Sequence, residues 1–289
     1  MEIIIAENSG LCYGVKRALN IARRTRRAVP GPVTTLGDLI HNPRVVADLR
    51  TRGVSSSATS RDIKDGTVII RSHGVSPAIY RTLVRKNLEI VDATCPIVKE
   101  IQKLVESLAR KNLEVIIVGD REHPEIRGLI GHSRSRGVIV ENEAQAWVLP
   151  LRTKRAVVAQ STLDVELFKR IVAILVGRTR ELFVHNTICR STRTRQTATS
   201  KLASRVDTLF IVGGRASSNT RELYRISRRI LRRTFFIETA EEIRPEMLRE
   251  AKTIGISGGA STPPEALQEA AAKIKASFEQ QIHREKSVP

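Results

Sequence analysis

This 289-residue chain is poor in aromatics, in cysteine, in acidic residues and in long apolar runs. Phe, Tyr and Trp make up 3 % of it, too little for the stacking platforms on which single-strand and RNA binders lay successive bases. Three cysteines are an odd count that suits no disulfide framework; in a reducing compartment they point to metal ligation or to ordinary buried thiols. Apolar stretches such as residues 171–176 are broken by charge or glycine long before the roughly 20 residues of a membrane helix. The 30 acidic residues are outnumbered by 49 basic ones, giving a net charge of +19. Such a surface attracts anions: nucleic acid, an acidic protein or a phosphorylated small molecule. No zinc-finger spacing or basic heptad region is present. The densest basic stretch, residues 220–234, sets Leu223, Ile226 and Ile230 at helical spacing with Arg221, Arg225, Arg228, Arg229 and Arg232 opposite, the pattern of a solvated helix face. The opening residues, Met1-Glu2-Ile3-Ile4-Ile5-Ala6-Glu7, have neither a basic leader nor a small-residue cleavage site, so the expected location is the cytoplasm.

What the chain does have is 41 % hydrophobic residues, enough for two or three cored domains at this length. Short apolar runs recur at 2–6, 67–70, 89–92, 115–118, 138–140, 156–159, 182–184, 208–212, 235–237 and 253–256. Each is followed by a polar or glycine break and then a helical pattern, which predicts α/β architecture with mainly parallel sheets. Cys12, Cys95 and Cys189 each come just after such a run. That spacing suggests one cysteine per α/β unit and three similar domains: 1–94 with the N-terminal cysteine strand, 95–188, and 189–289 with a polar tail expected to fray after about Ala276.

Ligands of parallel α/β folds gather at the carboxyl ends of strands, and the residues there are polar. His41-Asn42-Pro43, Ser72-His73-Gly74, Glu122-His123-Pro124-Glu125, Gln160-Ser161-Thr162, Ser217-Ser218-Asn219 and Ser261-Thr262-Pro263 all stand at such junctions. For Thr162, Ser217, Ser218, Asn219 and Ser261, helix capping is one reading. A phosphate pocket is the other, since small hydroxyls, free helix N–H groups and histidine donors suit phosphate oxygens. His132, His185 and His283 read as ordinary imidazoles. Glu125 fits either an exposed helix start or, if buried, a proton donor. Three isolated cysteines lack the close pairs of structural zinc. They fit an iron–sulfur cluster with one iron lacking a protein thiolate, or three buried thiols.

Taken together, Gly10-Leu11-Cys12-Tyr13-Gly14-Val15-Lys16-Arg17-Ala18, His41-Asn42-Pro43, Arg71-Ser72-His73-Gly74, Asp92-Ala93-Thr94-Cys95-Pro96, Glu122-His123-Pro124-Glu125, Thr187-Ile188-Cys189, Arg195-Gln196, Ser217-Ser218-Asn219 and Gly259-Ala260-Ser261-Thr262-Pro263 closely resemble the 4-hydroxy-3-methylbut-2-enyl diphosphate reductases. These are the LytB-type enzymes that end the methylerythritol phosphate route to isoprenoids. The resemblance runs from residue 1 to about 275. It implies a trefoil of three α/β domains around a central [4Fe–4S] cluster held by Cys12, Cys95 and Cys189, with one iron not ligated by cysteine and open to the substrate's hydroxyl. Two electrons and two protons would remove that hydroxyl as water, giving isopentenyl and dimethylallyl diphosphates. His41, His73, His123, Ser217, Ser218, Asn219 and Ser261 would hold the diphosphate, Glu125 would supply protons and Thr162 would orient the hydroxyl. His123 and Thr162 thus belong to both the catalytic and the substrate-binding sets.

The chain departs from that pattern at Asn186, where Asp is usual, at Ser191, where Ala is common, and in Gly213-Gly214-Arg215-Ala216, which replaces a Gly-Ser-Lys-Asn type of run. Its arginine-rich surface suits an acidic electron donor such as a ferredoxin or flavodoxin; neither membrane nor nucleic acid is an expected partner. Two other functions remain open at this point. One is a same-fold iron–sulfur paralogue acting on another phosphorylated substrate; the other is a nucleic-acid-associated protein with a structural cluster, which would bind in a salt-sensitive way.

Overall fold

The computed structural model describes residues 1–286, with side chains described to residue 279. It is α/β, built on three parallel sheets of four strands each. The chain opens with β1 (Glu2–Ile5) and α1 (Tyr13–Ala28), then runs β2 (Val33–Leu36), α2 (Pro43–Thr51), β3 (Val54–Ser57), β4 (Thr67–Ile70), α3 (Pro77–Arg85) and β5 (Glu89–Asp92). It continues through α4 (Pro96–Arg110), β6 (Glu114–Val118), α5 (Pro124–His132), β7 (Gly137–Val140), α6 (Glu143–Trp147), β8 (Arg152–Ala159), α7 (Val165–Val176) and β9 (Thr179–His185). The last stretch is α8 (Arg190–Ala203), β10 (Thr208–Val212), α9 (Ser218–Ile230), β11 (Thr234–Ile237), two short 3₁₀ turns, β12 (Thr253–Gly258) and α10 (Pro264–Lys286). Helix α10 takes in the polar stretch after Ala276 that was expected to fray; Ser287-Val288-Pro289 lie outside the described residues.

Contacts divide the chain into two compact units. One comprises Tyr13–Ile40 and Arg44–Cys189 and holds two sheets, in the orders β3-β2-β4-β5 and β7-β6-β8-β9. The other comprises Met1–Cys12, His41–Pro43 and the chain from Arg190 onward, and holds the sheet β1-β12-β10-β11. Strand β1, which the sequence reading put with the residues that follow it, pairs instead with β12, Glu2 to Ile5 lying beside Thr253 to Ile256.

The inner strands are buried on both faces, which is why they read as unbroken apolar runs: all of β4 and β10, and β6 and β8 apart from their first residues. Around β10 and β12, Phe210, Ile254 and Ile256 pack with Leu267, Ala270 and Ile274 of α10. Around β6 and β8, Ile116, Val118, Val157 and Ala159 pack with Phe168, Ile171 and Leu175 of α7. Helix starts follow local rules. Proline opens α3, α4 and α5, and the Ser76, His123, Asp164 and Ser217 side chains accept N–H bonds at the starts of α3, α5, α7 and α9.

Candidate active site

The three sheets share a connection pattern that determines where polar residues collect. In the first, the chain passes from β2 out to β3 and then returns across β2 to β4 on its other side. Such a reversal leaves a crevice between the carboxyl ends of the two inner strands, here β2 and β4. The same reversal falls between β6 and β8, and between β10 and β12. All the residues expected to bind substrate follow these six inner strands: His41 after β2, His73 after β4, His123 and Glu125 after β6, Thr162 after β8, Ser217, Ser218 and Asn219 after β10, and Ser261 after β12. The cysteines follow the neighbouring edge strands, Cys12 after β1, Cys95 after β5 and Cys189 after β9. In each case the cysteine's N–H donates to a carbonyl just past the adjacent inner strand: Ala260 at 3.0 Å, Ser72 at 2.9 Å and Ser161 at 3.0 Å respectively. The three cysteines are half-buried and none is in a disulfide.

In the unit that holds β10 and β12, the strand-end loops interlock. Ser261 Oγ lies 3.3 Å from both the His41 carbonyl oxygen and Ser217 Oγ, while Asn42 Nδ2 donates to the Ser261 carbonyl at 3.0 Å. Ser217 caps α9 through Thr220 N–H and also meets Ser261, so the capping and site readings both describe it. Asn219 Oδ1 accepts from Ala260 N–H at 2.9 Å, which fixes the orientation of the amide. Its Nδ2 is then buried with no hydrogen-bond partner, a costly arrangement that a ligand oxygen would relieve. Gly214, where the family pattern has serine, accommodates the close approach of the His41 segment: a Cβ there would lie 2.5 Å from the His41 carbonyl oxygen. Arg195, buried in α8, donates to the Gly10 carbonyl at 2.9 Å and so tethers the loop that leads to Cys12.

In the other unit, Glu125 sits in the first turn of α5 and is 1 % exposed. Both its carboxyl oxygens accept from Ser161, one from the N–H and one from the hydroxyl, each at 2.6 Å. Burial pushes the Glu125 pKa above the ordinary carboxyl range and outweighs the Ser161 bonds, which pull it down. Glu125 is therefore the buried acid of the two alternatives, not an exposed helix start. His123 Nδ1 accepts from Glu125 N–H at 3.3 Å, so the proton of the neutral ring is on Nε2. The His73 and His123 rings meet edge to face with centroids 5.1 Å apart.

The sequence reading singled out Thr162, yet the hydroxyl that reaches Glu125 belongs to Ser161. Thr162 Oγ1 accepts instead from Gln160 Nε2 at 2.9 Å, and the cap of α7 is Asp164. Two adjacent hydroxyls stand at this strand end, and the turn of the backbone brings Ser161 to Glu125. The approaches to Cys95 and Cys189 are built alike. Asp92 Oδ1 accepts from Thr94 N–H at 2.9 Å, and Asn186 Oδ1 from Ile188 N–H at 3.3 Å. Asparagine for aspartate at 186 keeps that acceptor and drops its charge. For Asp92, burial works to raise the pKa, but bonds from Lys99 and Thr94 outweigh it and hold the carboxyl below its ordinary range. Arg17 in α1 donates to the Thr94 carbonyl at 3.1 Å, beside Cys95.

The chain as a whole has counterparts among known proteins. The family model for the LytB protein matches residues 3–275. The chain belongs to the LytB family. It is 41 % identical over 279 residues to a 4-hydroxy-3-methylbut-2-enyl diphosphate reductase of Caldanaerobacter subterraneus subsp. tengcongensis, covering 95 % of this chain and 97 % of that one. To the reductase of the same name from Aquifex aeolicus it is 41 % identical over 286 residues, covering 98 % and 99 %. Among solved structures it is similar to an (E)-4-hydroxy-3-methyl-but-2-enyl diphosphate reductase described as the terminal enzyme of the non-mevalonate pathway. That match has 41 % identity and a TM-score of 0.68, over 96 % of this chain and 100 % of that one. It also resembles the E-1-hydroxy-2-methyl-but-2-enyl-4-diphosphate reductase from Plasmodium falciparum, at 27 % identity and a TM-score of 0.88 over 94 % and 87 % of the two chains. This LytB chain has no described helix long and apolar enough to cross a membrane.

Proposed function

We propose that the chain reduces 4-hydroxy-3-methylbut-2-enyl diphosphate to isopentenyl and dimethylallyl diphosphates. In that reaction the carbon–oxygen bond to the hydroxyl breaks, two electrons enter, one proton goes to the departing oxygen, which leaves as water, and a second proton goes to the allylic carbon skeleton. The observation that carries the reading is Glu125, a buried carboxyl whose burial raises its pKa above the ordinary carboxyl range and whose two oxygens are aligned by Ser161. A proton donor to a leaving hydroxyl needs those properties. His41, His73, His123, Ser217, Ser218, Asn219 and Ser261 bind the diphosphate, and the buried unpartnered Nδ2 of Asn219 supports that role. Holding the diphosphate fixes the hydroxyl end for proton transfer. Ser161 aligns Glu125, with Thr162 beside it to orient the hydroxyl.

A member of this family depends on iron–sulfur chemistry. We assign Cys12, Cys95 and Cys189 as ligands of a [4Fe–4S] cluster, because their soft thiols, none in a disulfide, stand at equivalent places beside the crevices of their three sheets. Such a group supplies electrons and, at an iron without a cysteine, Lewis acidity for the leaving oxygen. The electrons come from an acidic donor of the ferredoxin or flavodoxin kind, for which the charge of +19 is the support. We also keep the chain in the cytoplasm, and keep its division into α/β domains near residues 94 and 188, with β1 in the sheet of the third.

Protein purified without oxygen is expected to carry iron and sulfide and, given a low-potential reductant, to convert the hydroxylated diphosphate to both products. Iron-free protein, or iron-loaded protein that leaves the substrate intact, overturns the reading. Transfer from an acidic donor should slow as ionic strength rises; a rate indifferent to salt excludes that partner.

A further inference from the structure

We propose that the groove along the outer edge strand β11 is a second binding site, separate from the crevice between β10 and β12, and that it takes a diphosphate ester of an apolar or flat organic group. The groove has a volume of about 580 Å³, within the usual range for small-molecule sites. It lies between α9 and the two 3₁₀ turns that follow β11.

Its two halves differ in chemistry. The floor is apolar: Phe236 and Tyr224 set their rings 5.7 Å apart at a 39° tilt, with Met247 beside them. The rim is cationic, with the exposed guanidiniums of Arg228 and Arg244; Arg215 beside them is ion-paired with Glu242. Glu241 and Glu242 also line the groove, but Glu242 is already occupied by Arg215 and by the N–H groups of Glu238 and Thr239. Forked guanidiniums match phosphate oxygens, and a ring floor prefers a branched hydrocarbon chain or a base over water. An inorganic anion would use only the rim, whereas a wholly apolar molecule would leave the arginines unanswered. A ligand with both parts uses the whole groove. Two sources have that chemistry, prenyl diphosphates and nucleoside diphosphates.

Arg215 gives this site a structural tie to the crevice. It stacks over Phe236 at 5.5 Å from the ring centroid, while its backbone is in the Gly213-to-Ser217 loop that caps α9. The wall of the groove and the cap of α9 therefore belong to one loop.

The test is calorimetric titration of the whole holoprotein with geranyl diphosphate, ADP and inorganic diphosphate. It is run on the wild type, on Arg228→Ala/Arg244→Ala and on His41→Ala/Ser261→Ala. At least one ester should bind the His41→Ala/Ser261→Ala protein as it binds the wild type's second site. The same ester should lose at least tenfold in affinity in the arginine variant and bind at least tenfold more tightly than inorganic diphosphate. Preference for geranyl diphosphate identifies the prenyl source, preference for ADP the nucleoside one. The proposal is overturned if ester binding ignores the arginine substitutions, if the His41→Ala/Ser261→Ala variant abolishes it, or if inorganic diphosphate binds equally well. None of these outcomes bears on whether the dehydroxylation occurs. Both arginines are exposed, so matching melting curves exclude a folding artefact.

Discussion

Replacing Ser161 by alanine should shift the pH dependence of turnover in a direction that the geometry dictates. The Ser161 hydroxyl donates to Glu125 Oε2 at 2.6 Å, inside a site where the carboxyl is 1 % exposed. A hydrogen bond to a charged group contributes about 1.5–3 kcal/mol, and this one favours the carboxylate over the acid. At about 1.4 kcal/mol per pH unit, removing it moves the deprotonation of Glu125 upward by roughly one to two pH units. Activity that needs the protonated acid falls as pH rises through that deprotonation, so the alkaline limb of kcat should move to higher pH in Ser161→Ala and stay in place in Ser161→Thr. Thr162→Ala, whose hydroxyl faces Gln160, should not reproduce the shift. Stability follows the same linkage. The Glu125 pKa is raised on folding, so above the unfolded carboxyl range the native state holds more protons than the unfolded one and loses stability as pH rises. Ser161→Ala should extend that loss to higher pH and Glu125→Gln should remove it. A limb that stays put or moves to lower pH in Ser161→Ala, or moves equally in Thr162→Ala, refutes the assignment.

Substitutions at three other places test the scaffold. Arg195→Ala leaves the Gly10 carbonyl without its donor, so it should cost about 1–3 kcal/mol in denaturant titration and lower the iron bound per chain; unchanged iron and stability would mean that the tether does nothing for Cys12. Arg155 is fully buried against Glu114, so Glu114→Ala strands a buried charge at about 3–5 kcal/mol, and the double change to methionine at both positions should cost less than that single one. Asn186→Asp should leave the melting temperature where it is, whereas Asn186→Ala should lose about 1 kcal/mol with the acceptor for Ile188 N–H.

Strands buried on both faces, such as β4, β6 and β10, read as continuous apolar runs, and edge strands such as β5 and β9 were legible too, whereas inner strand β2, with two threonines in its four residues, was not among the runs. Strand β3, Val54-Ser55-Ser56-Ser57, escaped notice: it is an edge strand whose serines use hydroxyls on the neighbouring strand, Ser55 reaching Thr34 and the Val33 carbonyl. The partner of β1 was also invisible, since a strand's own residues say that it will pair but not with which of several parallel strands about 250 residues away. The strand-end histidines and hydroxyls were legible as a set because Pro and Gly turns mark where strands stop. That they lie at the three reversals of strand order needed the topology. That Ser161 is the residue that reaches Glu125 needed the turn itself, as Ser161 and Thr162 offer the same functional group one position apart.

The pairing of β1 with β12 also orders events during biosynthesis. Cys12 is the earliest of the three cysteines to leave the ribosome, yet its N–H is held by Ala260, which is made some 250 residues afterwards. At about 5–20 residues per second, the amino terminus waits on the order of ten to fifty seconds before its strand can dock. Sheets made wholly from residues 33–185 can mature in the meantime, so the loop that carries Cys12 is the last of the three cysteine loops to be pinned beside its sheet.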